Sequence, residues 1–318
     1  MTILKWVFGI VGILALLAWG AYLWAGWSLK SYGPAQQSPH AANLTQVLPG
    51  GMMYYRWDGP EDGPIIVMVH GFSTPHFIFE QNVEALNAAG FRTLRYDHFG
   101  RGWSDRPQLK YDTDFYDATL LGLLDKLGVD EPVGLVGLSM GGPITAEFTA
   151  RHPERVSKLF LFVPAGLDIA ASDSGAAKLV RTPIIGDFVW RMIGKQTLLG
   201  DPQYDESAVP EANRLQGDVT VQMEYRGYLD ALLSTLRHMP MSGREATFEA
   251  LAATGIPVMA VYGDADETVL VSSADKLQAL IPDADVRVVE GGEHGLNYQR
   301  HEEVNPWIVD WFKGGSEG

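Results

Sequence analysis

The stretch Pro132-Val133-Gly134-Leu135-Val136-Gly137-Leu138-Ser139-Met140-Gly141-Gly142-Pro143-Ile144-Thr145-Ala146-Glu147-Phe148 decides the fold. It reads as an apolar strand, a sharp turn and the first turns of a helix. Gly137 and Gly141 flank Ser139 in a G-x-S-x-G elbow, where bulky neighbours would clash. Such a turn pushes the serine hydroxyl out. The helix behind it aims its first N–H groups, and the positive end of its dipole, at whatever the serine attacks. A serine in an ordinary glycine-rich turn is the plain alternative, and the strand and helix on either side favour the elbow.

The same strand–helix rhythm extends in both directions. Residues 52–57, 65–69, 91–96 and 156–163 read as strands. Residues 79–89 and 115–127 repeat apolar side chains at helical spacing and stop at Gly90 and Gly128. Ile65-Ile66-Val67-Met68-Val69 is continuously apolar, as in a strand buried on both faces. After Ala165 the rhythm breaks. Residues 166–248 are mostly helical in pattern and carry Phe188, Trp190, Met192, Met223, Tyr225, Tyr228, Met239 and Met241. The rhythm returns with strands at 257–262 and 286–289 and helices at 272–280 and 305–312. The expected fold class is α/β: a mostly parallel central sheet with helices on both faces. The core comprises 46–165 and 249–314, and 166–248 forms a helical cap over the carboxyl edge of the sheet.

The chain has 318 residues and a net charge of −15, which argues against nucleic acid as a partner. It has no cysteine, which excludes disulfides, zinc–cysteine sites and a thiol nucleophile. Residues 6–27 carry no charge and would span roughly 33 Å as a helix at 1.5 Å per residue, the thickness of a hydrocarbon core. Lys5 and Lys30 bracket the run, and Trp6, Trp19, Tyr22, Trp24 and Trp27 gather toward its ends. A transmembrane anchor is expected, with the body of the protein on the far side from the short charged N-terminus. The rival is a cleaved signal segment, against which stand the length of the run and bulky Tyr22-Leu23-Trp24 where small residues are wanted. Residues 28–45 read as a linker.

Five pieces occur in an order that resembles the α/β-hydrolase family over roughly residues 46–314. They are His70-Gly71; Asp97-His98-Phe99-Gly100-Arg101-Gly102-Trp103-Ser104-Asp105; the elbow; Gly263-Asp264-Ala265-Asp266; and Gly292-Glu293-His294-Gly295. Each follows a strand, at the sheet edge where open α/β sheets place their sites. The anchor, Ser139-Met140-Gly141-Gly142 and Val163-Pro164-Ala165-Gly166-Leu167 look like the membrane-anchored monoacylglycerol lipases within that family.

The resemblance implies a charge relay in the order serine, acid, histidine. Ser139 is the nucleophile. His294, the one histidine in a glycine-rich loop after the terminal strand, is the base. Asp266, three residues after Gly263, is the favoured acid, with Asp264 and then Asp168 as alternatives; a plain loop role is open to Asp264 and Asp266 alike. The amides of Met140 and Phe72 would form the oxyanion hole. His70 belongs to the oxyanion loop and His98 to a structural turn, while His76 has no motif around it.

The expected reaction is carboxylic ester hydrolysis through an acyl-enzyme, needing neither metal nor organic cofactor. The substrate is expected to be lipid-like, such as a monoacylglycerol or lysophospholipid. The same triad also supports amide, thioester or carbon–carbon cleavage, or peracid formation. A ligand receptor on this fold is the non-enzymatic alternative.

Overall fold

The computed structural model describes residues 2–31, 42–49, 51–170, 172, 174–200, 204 and 210–314. Eight strands form one sheet: β1 (Leu44–Leu48), β2 (Gly51–Asp58), β3 (Ile65–Val69), β4 (Arg92–Tyr96), β5 (Val133–Leu138), β6 (Val156–Phe162), β7 (Val258–Gly263) and β8 (Asp285–Val289). Their order is β1-β2-β4-β3-β5-β6-β7-β8. β2 pairs antiparallel with both β1 and β4, and the other pairings are parallel. The helices of the body are α2 (Glu80–Ala88), α3 (Thr113–Lys126), α4 (Gly141–Arg151), α9 (Glu245–Ala252), α10 (Ser272–Leu280), α11 (Leu296–Gln299) and α12 (His301–Lys313). The insertion between β6 and α9 holds α5 (Gly175–Arg181), α6 (Ile185–Leu199), α7 (Pro210–Met223) and α8 (Tyr228–His238).

The period of two along each strand splits the core into two layers. Val67, Val69, Leu135, Leu159 and Leu161 face one layer with Leu120, Leu123, Ile144 and Phe148. Ile66, Met68, Val136, Phe160 and Phe162 face the other with Phe79, Leu86, Val304 and Ile308. The Asp112 carboxylate caps α3 by accepting from the Phe115 amide at 3.0 Å, supplying one of the bonds that a helix start lacks.

The N-terminal region departs from the expected free linker at both ends. Leu44 and Thr45 already lie in β1, whose Val47 packs at Gly122 of α3. At the other end Lys30 adds a short bridge to the insertion: its amide donates to Glu224 O at 2.8 Å, and the Arg226 amide donates to Lys30 O at 2.9 Å. The backbone bonds available on a sheet edge and on the insertion claim these residues. Residues 32–41 of the same segment lie outside the described residues. Helix α1 (Thr2–Trp27) contains a run, Lys5–Trp27, long and apolar enough to cross a membrane.

The two ends of the insertion are sewn together. Gly166 donates to Met241 O at 2.8 Å, and the Arg244 amide donates to Gly166 O at 2.7 Å. The Arg244 guanidinium, almost wholly buried, then donates to Glu147 Oε2 of α4 at 2.7 Å and to Thr113 Oγ1 of α3 at 2.8 Å. Glu147 keeps some contact with water, so the loss on breaking this pair falls at or below the lower end of the range for buried pairs. Arg244→Met is expected to lower unfolding free energy by about 2–3 kcal/mol in urea titration, with Arg244→Lys recovering part of it.

Candidate active site

Ser139 sits between β5 and α4 with φ of +52°, a left-handed conformation that costs a non-glycine residue about 1–3 kcal/mol. Three backbone bonds hold it there. Ser139 donates to Phe162 O at 3.0 Å, and its carbonyl accepts from Gly142 at 2.9 Å and Ala165 at 3.0 Å. The neighbouring glycines are required by proximity. A Cβ on Gly137 would lie 2.6 Å from the Gly141 carbonyl oxygen, one on Gly141 would overlap Val69 O, and one on Gly142 would lie 2.5 Å from Pro164 Cβ.

The serine, the terminal histidine and one aspartate come together. Ser139 Oγ lies 3.0 Å from His294 Nε2, and His294 Nδ1 lies 2.8 Å from Asp266 Oδ2. A carboxylate only accepts, so the network assigns the proton to Nδ1 and leaves Nε2 free to accept from the serine hydroxyl. Asp266 is buried, and its other oxygen accepts from the Thr268 amide at 2.7 Å and the Val269 amide at 2.9 Å. These donors compensate the cost of burying its charge and fix the face it turns to the imidazole. Asp264 instead accepts from the Gly291 amide at 2.6 Å, and Asp168 is held by Ser272 and Lys276, each at 2.6 Å. Neither carboxylate bonds to His294.

Gly71 brings the loop after β3 against Ser139: a Cβ there would lie 3.2 Å from Ser139 Cβ. Phe72 follows Gly71, and Met140 is the N-cap of α4. Among the described residues neither the Met140 nor the Phe72 amide donates to another protein group. Between these elements lies a cavity of about 110 Å³, walled by Phe72, Leu138, Ser139, His294, Asn297 and, from the insertion, Leu198.

A buried polar layer lies behind the loop after β3. His70 Nε2 accepts from the His98 amide at 3.0 Å, so its proton is on Nδ1 and goes to Gly71 O at 2.9 Å. His98 Nε2 returns a bond to His70 O at 3.1 Å. Burial pushes the His70 imidazole down to about 3 and holds His98 well below its ordinary value, so both are neutral. Asp97 accepts from the His76 ring at 2.7 Å, the His76 amide at 2.9 Å and the Trp103 amide at 2.9 Å. Burial opposes its charge, yet His76 with these bonds keeps the carboxyl below the ordinary range.

Sequence reading gave three contributors no role. Arg101, fully buried, donates to Phe72 O at 3.0 Å and to Thr235 Oγ1 of α8 at 2.9 Å, tying the loop after β3 to the insertion. Asn297 donates to Ile78 O at 2.9 Å and pins the histidine loop to the segment before α2. The Thr268 amide, two residues beyond Asp266, was legible as an Asx-type spacing. Nothing local marks this role of Arg101, because Phe72 and Thr235 come from distant elements.

The sequence profile of the alpha/beta hydrolase fold matches residues 64–300. A protein from Synechocystis sp., provisionally named a non-heme chloroperoxidase, is 29% identical over 267 residues, covering 79% of this chain and 92% of that protein. A Pseudomonas putida protein named 2-hydroxy-6-oxononadienedioate/2-hydroxy-6-oxononatrienedioate hydrolase 2 is 26% identical, covering 80% of this chain and 89% of its own length. Among solved structures, the enol-lactonase from Burkholderia xenovorans LB400 superposes with a TM-score of 0.70 at 21% identity, over 84% of this chain and 99% of that one.

The neutral His70 has a consequence for acid stability. Its folded value is about 3 against 6.5 for the free group, so below 6.5 the unfolded chain binds a proton that the native state refuses. Stability contributed by keeping it neutral is therefore present above that value and lost as pH falls toward 3. His70→Gln is expected to flatten the decline of unfolding free energy between these limits by up to about 1.4 kcal/mol per pH unit, measured by urea unfolding across a pH series.

Proposed function

The chain belongs to the alpha/beta hydrolase fold family, and on that premise we propose that it hydrolyses carboxylic esters through Ser139, His294 and Asp266. The observation that carries this reading is the unbroken succession from Ser139 Oγ through the imidazole to Asp266 Oδ2, at 3.0 and 2.8 Å. His294 Nε2 takes the hydroxyl proton as Ser139 Oγ attacks the ester carbonyl, and Asp266 stabilises the imidazolium that forms. The Met140 and Phe72 amides receive the tetrahedral oxyanion, at about 3–4 kcal/mol for each well-aimed donor. The intermediate collapses, the carbon–oxygen bond to the alcohol breaks, and His294 protonates the departing alkoxide. Water then attacks the acyl-enzyme with His294 again as base, releasing the acid and restoring Ser139.

The space beside Ser139 supports a compact acyl group. Its 110 Å³ compares with about 300–1,000 Å³ for sites that enclose drug-sized ligands. Large apolar residues of the insertion are occupied in packing rather than in lining an acyl pocket: Trp190, Met223 and Tyr228 are buried in the core shared by the insertion and the body. An ester with a short acyl part is therefore the favoured substrate over one with a long fatty acyl chain. The name of the Pseudomonas putida relative supports a second reading, hydrolytic carbon–carbon cleavage by the same three groups.

We further propose that α1 is retained as a membrane anchor. Its packing on the insertion supports this over a cleaved signal segment: Tyr22 stacks on Phe188 at 6.4 Å and lies 4.1 Å beneath the Arg191 guanidinium. Cleavage would strip that cover from α6.

Ser139→Ala is expected to abolish labelling by a fluorophosphonate probe and to cut ester turnover by about four or more orders of magnitude. Asp266→Asn should cost about 10⁴ in turnover, against a few-fold for Asp264→Asn. In a series of p-nitrophenyl esters, acetate to butyrate should outperform decanoate in kcat/KM; a steady rise with chain length would return the long-chain substrates to favour.

A further inference from the structure

Helix α1 is more than a tether. Ala18, Ala21, Tyr22, Ala25 and Gly26 are its half-covered positions, with Leu29 just past its end also half-covered, while Leu23, Trp24 and Trp27 stay exposed. That spacing is one face of a helix, and α6 of the insertion covers it. Tyr22 meets Phe188 and Arg191, and the Cβ position of Gly26, one turn further along α1, is 3.3 Å from Arg191 Nη1. Both helices advance together through these contacts, so they run side by side in the same direction. Arg191 is therefore level with the end of the apolar run, and the start of α6 is level with an earlier part of it.

The start of α6 is where apolar side chains face outward. Ile184 is 83% exposed and Ile185 55%, with Leu179 at 44% nearby in sequence on α5. Ile184 also has φ of +68°, an uncommon conformation for a β-branched residue. It is built in rather than left loose. The Ile184 amide donates to Asp187 Oδ2 at 2.7 Å, and Arg237 of α8 clamps Asp187 with two bonds of 2.9 Å and donates to Thr182 O at 3.2 Å. Seven residues separate Ile184 from Arg191, about 10 Å along a helix. Beyond Arg191 on the same helix comes Lys195. Apolar residues at one end of α6 and cations about 10 Å along it match the acyl and headgroup levels of a bilayer, where interfacial segments bury their apolar face to about 5–10 Å.

We propose that the turn at 182–185 and the first turn of α6 insert into the same leaflet that α1 enters, so that the insertion lies on the membrane surface with Arg191 and Lys195 among the headgroups. The inference rests on the reading of α1 as an anchor. It also ties the membrane to the site, because Leu198, which walls the cavity at Ser139, is on α6 as well. The nucleophile then stands about 20 Å from the wedge along that helix.

The absence of cysteine makes the test direct. Full-length Ile184→Cys, Leu14→Cys and Val288→Cys proteins are each labelled with an environment-sensitive nitrobenzoxadiazole dye and reconstituted in phosphatidylcholine liposomes. Leu14 lies in mid-α1 and Val288 on the exposed edge strand β8. The expected result is a blue shift, loss of iodide quenching and gain of quenching by doxyl-labelled acyl chains at 184, as at 14, while 288 remains open to iodide. Lipid quenching at 14 with iodide quenching at 184 would overturn the wedge and leave the anchor standing. Iodide quenching at both would overturn the anchor and the wedge with it. A label at 184 shielded from iodide and doxyl lipid alike would mean that protein, such as a second copy of the chain, covers the patch, which also overturns the proposal.

Discussion

The close approach of the elbow to the end of β3 is the constraint on which the site depends. Gly137, Gly141 and Gly142 have no room for a Cβ because the carbonyl of Val69, the backbone of the elbow itself and Pro164 already occupy it. That contact holds Ser139 at positive φ and brings Gly71 against it. The same contact fixes the relation between the two amides, from Met140 and Phe72, that would receive an oxyanion. Catalytic geometry of this kind needs tolerances of about half an ångström, and packed backbone supplies them better than flexible side chains could.

A second layer of buried polar groups supports the first. His70, His98, Asp97 and Arg101 satisfy the carbonyls and amides of the two loops that follow β3 and β4. Both histidines are kept neutral by burial: His70 donates through Nδ1 and accepts through Nε2, while His98 donates through Nε2. Arg101 extends this layer into the insertion through Thr235, which also lies 2.7 Å from the Tyr116 hydroxyl of α3. Body and insertion thus share one hydrogen-bonded network at the back of the site. Removing one member would leave buried partners unsatisfied, and those cost more than the bond itself contributes.

The insertion also joins the surroundings of Ser139 to the N-terminal helix. One end of α6 walls the cavity with Leu198, and the other packs on α1 through Phe188 and Arg191. A free linker would leave the body free to turn relative to α1. The bridge at Lys30 and the packing along α6 instead give α1 a defined place beside the insertion.

Much of this was legible along the chain because it is local. Strand period, the glycines of the elbow and the charge-free N-terminal run each follow from a few consecutive residues whose own backbone or solvent preferences decide the outcome. The edge strand β1 was not legible, since a half-polar five-residue segment becomes a strand only when β2 offers it hydrogen bonds. Nor were the roles of Arg101, His76 and Asn297, which rest on bonds to Thr235, Asp97 and Ile78, 134, 21 and 219 residues away. The size of the cavity beside Ser139 depends on how Leu198 comes down over it, and the burial of the aromatic residues of the insertion on how its helices pack. Sequence alone determined the elbow, the alternating α/β order and the candidates for base and acid. Only tertiary structure decided which aspartate faces the imidazole and how much room lies beside Ser139, because both depend on distances between segments that no local preference encodes.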